Sequence, residues 1–244
     1  MKIFAMIAFV SALFSSAVFA GERVEYSVDG KVYEAYYATP KPSAPLVFMV
    51  HDWDGITEYE EKRVQMLNAL GYGVFALDMF GKGVKPTSVD AKKALTGALY
   101  KDRALMRKIL EEGYTAAKQK GANVTNAIGM GYCFGGTVML EMARSTNALK
   151  GFAIFHGNLA TPQGQDYKLT KAPIMIFHGS ADASVSMNEF AGLIQELEQT
   201  GIKHEAISYS GAPHAFSVFG SDRYREDADM KSWDRFKGFL KEVL

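Results

Sequence analysis

Cysteine is nearly missing from this chain, with Cys133 the single one among 244 residues. One thiol excludes an internal disulfide, so no covalent staple can hold the fold. Neither charge is in excess, with 27 Lys and Arg against 27 Asp and Glu. No basic block occurs either, and without one a nucleic-acid or anionic-lipid partner is not expected. His-x₃-His pairs and Cys/His clusters are missing, so neither metal nor cofactor is expected. Past the first stretch of the chain no run is apolar enough to span a bilayer. Repeats, low-complexity tracts and internal domain boundaries are also lacking, which leaves one domain of ordinary size for an α/β core.

What is present starts with residues 1–20, a pattern separate from the rest. Lys2 is followed by an apolar stretch that Ser11, Ser15 and Ser16 dilute, and then by Val18 and Ala20 at the spacing of a signal-peptidase site. The stretch is short for a spanning helix, and no cysteine sits at the cut to carry a lipid. The expectation is a signal peptide over residues 1–20, a single domain over residues 21–244, and a monomer that is periplasmic or secreted with no stable membrane association. In an exported chain a lone thiol is open to oxidation, which favours a chemical reason for keeping it.

Residues 24–28 and 32–38 alternate around Asp29 and Gly30, a hairpin signal. The pattern then changes to short continuous runs rich in Ile, Val and Phe at residues 46–50, 74–77, 127–130, 152–155 and 174–177, with a last strand at 205–209. Such runs suit strands buried on both faces of a parallel sheet. Segments with helical spacing alternate with them: residues 60–70, 100–119, 137–144, 188–200 and 232–244. The order implies an α/β fold: a mostly parallel, doubly wound sheet of about eight strands with helices on both faces and an N-terminal antiparallel hairpin.

Cys133 lies between Gly131 and Gly135, after an apolar run and before a helical segment. This is the G-x-nucleophile-x-G elbow with cysteine in the serine position. A nucleophile on so sharp a turn leaves no room for side chains two residues to either side. It also faces a helix N-terminus that favours negative charge. Two plainer readings compete: a buried core cysteine, and a dinucleotide loop built on Gly129, Gly131 and Gly135. The latter expects an acidic residue after the next strand, where His156 stands instead.

Function in an open α/β sheet gathers at the carboxyl ends of strands, and Asp182 and His214 both follow strand ends. Nucleophile, acid, histidine is the chain order of the α/β-hydrolase triad. Asp182 could instead cap a helix, and His214 could be an ordinary loop histidine. His51 and His178 are expected to make structural hydrogen bonds, and His204 to be exposed. His156 is assigned either to the pocket, binding substrate, or to packing.

With Gly-Tyr-Cys-Phe-Gly-Gly, His-Gly-x-x-Asp and Gly-Ala-x-His-Ala-Phe in place, nearly the whole chain after the leader resembles the dienelactone hydrolase family. The resemblance implies an α/β-hydrolase fold with Cys133 as nucleophile, His214 as base and Asp182 as its partner. It implies an oxyanion hole from the backbone N–H groups of Phe134 and Trp53, and thiol activation by Asp52, where the family carries glutamate. It also implies substrate binding by Lys82, where the family carries arginine, whereas Val218 falls at a second arginine position and keeps no charge. The expected activity is hydrolysis of a small ester or lactone through an acyl-thioester. Thioesterase or peptidase-like activity on the same residues is the first alternative, and a non-catalytic thiol-redox or binding protein the second.

Overall fold

The computed structural model describes residues 21–146 and 148–244. The leader expected over residues 1–20 lies outside the described residues. β1 (Glu22–Val28) and β2 (Lys31–Ala38) form the hairpin, turning at Asp29 and Gly30 with φ of 50° and 80°. Both are in the left-handed region that a two-residue turn between twisted strands requires. β3 (Pro45–Val50), β4 (Gly73–Leu77), β5 (Asn123–Tyr132), β6 (Phe152–Phe155), β7 (Ile174–Gly179) and β8 (His204–Tyr209) complete one eight-stranded sheet, ordered β1-β2-β4-β3-β5-β6-β7-β8. β2 runs antiparallel to β4, and every pairing from β4 through β8 is parallel.

The apolar runs are buried on both faces because both faces carry helices. In β3, Leu46, Phe48 and Val50 point to one core, and Val47 and Met49 to the other. The first core is closed by α2 (Val89–Lys101), α3 (Arg103–Gln119), α4 (Phe134–Ser145) and α5 (Met187–Thr200). The second is closed by α1 (Glu58–Ala69) and α6 (Glu226–Val243). The sheet is doubly wound, as its order of elements implies.

The larger differences from the sequence reading lie in α2–α3, α6 (Glu226–Val243) and β5. Residues 100–119 are not one helix: Asp102 leaves helical geometry at φ −112°, ψ 79°, and its carboxylate caps α3 through Leu105 N at 2.9 Å. The chain before it forms α2, capped by Ser88 and buried only at Thr96 and Leu99, too little to leave a clear apolar stripe. α6 starts at Glu226 rather than Ser232; its first turn is acidic, which suits the positive end of a helix but hides it from an apolar count. β5 extends back to Asn123 across a register shift against Pro45 and Leu46.

β3 lies between β4 and β5, so the chain leaves it first to one side and later to the other. That reversal opens a crevice at the carboxyl ends of β3 and β5.

Candidate active site

β5 delivers Cys133 to this crevice, and α4 begins one residue later. Cys133 has φ 51° and ψ −113°, a conformation L-residues avoid and keep only where the surroundings enforce it. The enforcement is backbone contact. A Cβ on Gly131 would stand 2.2 Å from the Gly135 carbonyl, and one on Gly135 2.2 Å from the Val50 carbonyl oxygen. Glycine is required at both places because backbone has no room to yield.

The loop after β8 carries His214 and the loop after β7 carries Asp182. Nε2 of His214 lies 3.0 Å from the Cys133 sulfur, and Nδ1 lies 2.8 Å from Asp182 Oδ2. The other Asp182 oxygen accepts the N–H groups of Ser184 and Val185 at 2.7 and 2.9 Å. That second oxygen braces the loop turn before α5, whereas the cap of α5 (Met187–Thr200) is Ser186, so Asp182 does not take the helix-capping role weighed for it. Burial works against a charge on His214, but the bond to Asp182, the bond to the sulfur and the charges of both push its pKa up to about 10. For Asp182 burial acts to raise the pKa, and the His214 bond and charge outweigh it, so the carboxyl titrates below its ordinary value. The charged imidazolium is thus favoured at neutral pH, with Nδ1 facing Asp182 and Nε2 facing the sulfur.

Cys133, Phe134, His214, Trp53, Tyr100 and Arg223 line a cavity of about 330 Å³. The Phe134 N–H is the first of α4 and has no intrahelical acceptor. The Trp53 N–H meets no acceptor among the described residues. Lys92 on α2 pairs with Asp54 at 2.5 Å and lies 5.3 Å from the Trp53 ring, tying the loop after β3 to the cavity wall. A larger cavity, about 620 Å³, opens at the amino ends of β6–β8 between Lys171, Lys203 and Arg235, and none of the chemistry-bearing strand ends reaches it.

Asp52 lines the active-site cavity while almost wholly buried, and its Oδ1 accepts the Asp54 N–H at 2.7 Å. Behind it Glu60 is fully buried and receives the Asp52 N–H at 3.4 Å and the Thr57 N–H at 2.8 Å. Burial first, and then the charge of Asp52, raises the Glu60 pKa to about 8; burial likewise raises Asp52 to about 6. Sequence reasoning missed Glu60; the signal that could have found it is the Thr57-x-x-Glu60 spacing of a capping box at the head of α1. Tyr100 and Arg223 carried no sequence signal, because the first sits on the helix that the apolar pattern concealed.

Several sequence expectations are corrected by placement. Lys82 does not reach the cavity: it follows β4 at the hairpin edge, exposed and ion-paired with Glu25 and Glu34. His156 does not line the cavity either, being 1% exposed beneath the elbow. Neither ring nitrogen of His178 has a hydrogen-bond partner among the described residues, and the ring stacks on Phe190 with centroids 5.0 Å apart. His204 is not fully exposed, since Nδ1 meets the Ile202 carbonyl at 2.8 Å and Nε2 lies 3.5 Å from Glu198. His51 uses both nitrogens structurally, with the Asp52 carbonyl at 2.5 Å and the Met79 N–H at 3.1 Å. Among the described residues no cluster of three or more His, Cys, Asp or Glu could hold a metal.

Known proteins are similar to this chain along most of its length. The signature of the dienelactone hydrolase family matches residues 33–244. A protein of Aquifex aeolicus (strain VF5), provisionally named a carboxymethylenebutenolidase, is 23% identical over 92% of this chain and 99% of its own. The crystal structure of a dienelactone hydrolase-like promiscuous phosphotriesterase from metagenomic libraries has a TM-score of 0.86 at 20% identity, covering 93% of this chain and 99% of that one. Thermogutta terrifontis esterase 2, phosphorylated by paraoxon, has a TM-score of 0.64 at 15% identity, covering 96% and 98%. At such identities the structural likenesses speak for the fold.

Proposed function

This chain belongs to the dienelactone hydrolase family of α/β-hydrolases, and from that premise we propose that it cleaves small carboxylic esters or lactones with Cys133 as nucleophile, His214 as proton carrier and Asp182 as its partner. The observation that carries the reading is the line of atoms from Asp182 Oδ2 through both nitrogens of His214 to the Cys133 sulfur, with spacings of 2.8 and 3.0 Å.

The proposed reaction runs in two halves. The Cys133 sulfur, with its proton held on His214 Nε2, attacks the ester carbonyl, and the carbonyl electron pair moves to oxygen. The N–H groups of Trp53 and Phe134 hold that oxyanion, each donor contributing about 3–4 kcal/mol to lowering the barrier. Collapse breaks the C–O bond, His214 gives its proton to the leaving alkoxide, and an acyl-thioester remains on Cys133. Water then attacks the thioester, giving one proton to His214, and the second collapse releases the carboxylic acid and restores the sulfur–imidazole pair. Throughout, Asp182 stabilises the imidazolium and fixes its orientation.

The cavity of about 330 Å³ suits a small acyl group and leaving group. The carbonyl carbon would approach sulfur between Trp53 and Phe134. Asp52 would adjust the thiol's surroundings from the same wall. We further propose that residues 1–20 direct export, so that the domain works in the periplasm or outside the cell, as a monomer without stable attachment to membrane.

The test is turnover of a p-nitrophenyl ester by the chain lacking residues 1–20, beside Cys133→Ala and Cys133→Ser. Loss of turnover in the alanine variant is the expected result, and wild-type turnover in that variant refutes the nucleophile. A panel of esters, thioesters and lactones ranks the substrate classes. Rapid alkylation of Cys133 with no turnover of any of them would favour the thiol-redox reading.

A further inference from the structure

β6 ends at Phe155, and the next residue has φ 40°, a left-handed conformation for a histidine. Such strain costs on the order of 1–3 kcal/mol and persists where something fixed depends on it. His156 is sealed from solvent, yet both ring nitrogens are engaged. Nδ1 lies 3.1 Å from the backbone nitrogen of Cys133, and Nε2 lies 2.8 Å from Ser217 Oγ. A backbone N–H can only donate, so Nδ1 is the acceptor and the ring proton sits on Nε2. Geometry alone assigns that tautomer.

Ser217 is itself anchored. Its hydroxyl lies 3.0 Å from the Tyr59 hydroxyl, and its carbonyl receives the Arg63 guanidinium at 2.9 Å. Arg63 is held in turn by a buried ion pair with Asp229 of α6. A continuous set of hydrogen bonds therefore runs from the α1–α6 interface to the peptide nitrogen of Cys133.

We propose that His156 is a positioning residue for the thiol: by accepting the Cys133 N–H it holds the elbow peptide in the turn that aims Sγ at His214 and turns the Phe134 N–H toward the oxyanion. This rests on the reading of Cys133 as nucleophile. The Phe155 carbonyl shares the same N–H at 2.9 Å, so His156 is the second of two restraints and its loss loosens the elbow without releasing it. The ring must also be neutral. It meets the His214 ring edge-on with centroids 5.4 Å apart, and the charges of His214, Arg63 and Arg223 all bear on it. Burial first, and then the His214 charge, holds its pKa well below the ordinary histidine value. A cation here would oppose the imidazolium that the reaction needs on His214.

The experiment compares His156→Phe with His156→Asn in the chain lacking residues 1–20, reading kcat, KM and the rate at which iodoacetamide alkylates Cys133. Phenylalanine keeps the ring volume but accepts nothing, and kcat is expected to fall about 10–100-fold with KM within about twofold. Asparagine puts an oxygen where Nδ1 was and is expected to recover most of the loss. Wild-type kcat and alkylation rate in His156→Phe, or an asparagine variant no better than phenylalanine, would overturn the proposal. If His156→Phe does not fold, Ser217→Ala removes the Nε2 anchor with little volume change; a fall in kcat of about threefold or more supports the proposal and an unchanged kcat refutes it. Alkylation reads sulfur placement without turnover. A wild type whose turnover survives Cys133→Ala therefore defeats the nucleophile reading separately from the His156 result.

Discussion

Glu60 is a carboxyl group buried behind Asp52, and its folded pKa of about 8 stands above the ordinary glutamate value of 4.5. The folded protein therefore binds this proton more tightly than the unfolded chain between those pH values. Below 4.5 both states are protonated and the group contributes no penalty; as pH rises toward 8 the penalty grows, and above 8 it is complete. Glu60→Gln keeps the capping geometry without the charge. Relative to wild type, the variant is expected to gain roughly 1–3 kcal/mol between pH 5 and pH 9, read from urea midpoints. An equal offset at both pH values would show that Glu60 is ionised throughout. At this scale Cys133, Asp182 and His214 were legible because each has a recognisable type at a strand end and the three fall in a meaningful order. Glu60 and His156 were less so: their roles depend on backbone atoms distant in sequence, the Asp52 N–H and the Cys133 N–H. Lys82 was misjudged for the opposite reason. Its type and position fit a binding role, but the hairpin offers it Glu25 and Glu34 first.

The turn from β5 into α4 is built by close backbone approach. Gly135→Ala would press a methyl group into the Val50 and His51 carbonyls, with separations of 2.2 and 2.6 Å before relaxation. Since backbone must move, a loss of about 2 kcal/mol or more is expected, with activity lost as well. Gly192, exposed in α5 with nothing within 4 Å of an added Cβ, provides the contrast. Gly192→Ala is expected to stabilise by about 0.5–1 kcal/mol with turnover unchanged. Thermal melts of the two variants test the pair together; equal effects would mean that the elbow is not the constraint described. The strands were read well because continuous Ile, Val and Phe runs have few other uses. α2 was not, because it buries only Thr96 and Leu99 and ends at Asp102, which looks like one more charge on the surface of a longer helix. That helix supplies Tyr100 to the cavity and Lys92 to the Trp53 loop, so the unseen element carried two of the residues that sequence reasoning missed, while Arg223 comes from the loop before α6.

The molecule as a whole is electrically balanced, and its described part has no helix long and apolar enough to cross a membrane. Residues 1–20 stand apart in composition from a domain that completes its sheet from residue 22 onward. Fractionation of cells producing the full chain is expected to find it shortened and outside the cytoplasm; the full-length form in the cytoplasm alone would refute export. The elements set one crevice at the carboxyl ends of β3 and β5, and the elbow, the acid loop and the histidine loop all empty into it. The claim on which everything turns is that sulfur takes the acyl group there. The direct measurement is mass spectrometry of protein quenched during turnover of a p-nitrophenyl ester, followed by peptide mapping. An acyl group on the peptide containing Cys133, gone in Cys133→Ala, is the expected result; undiminished turnover by Cys133→Ala, or an acyl group on another residue, would contradict it.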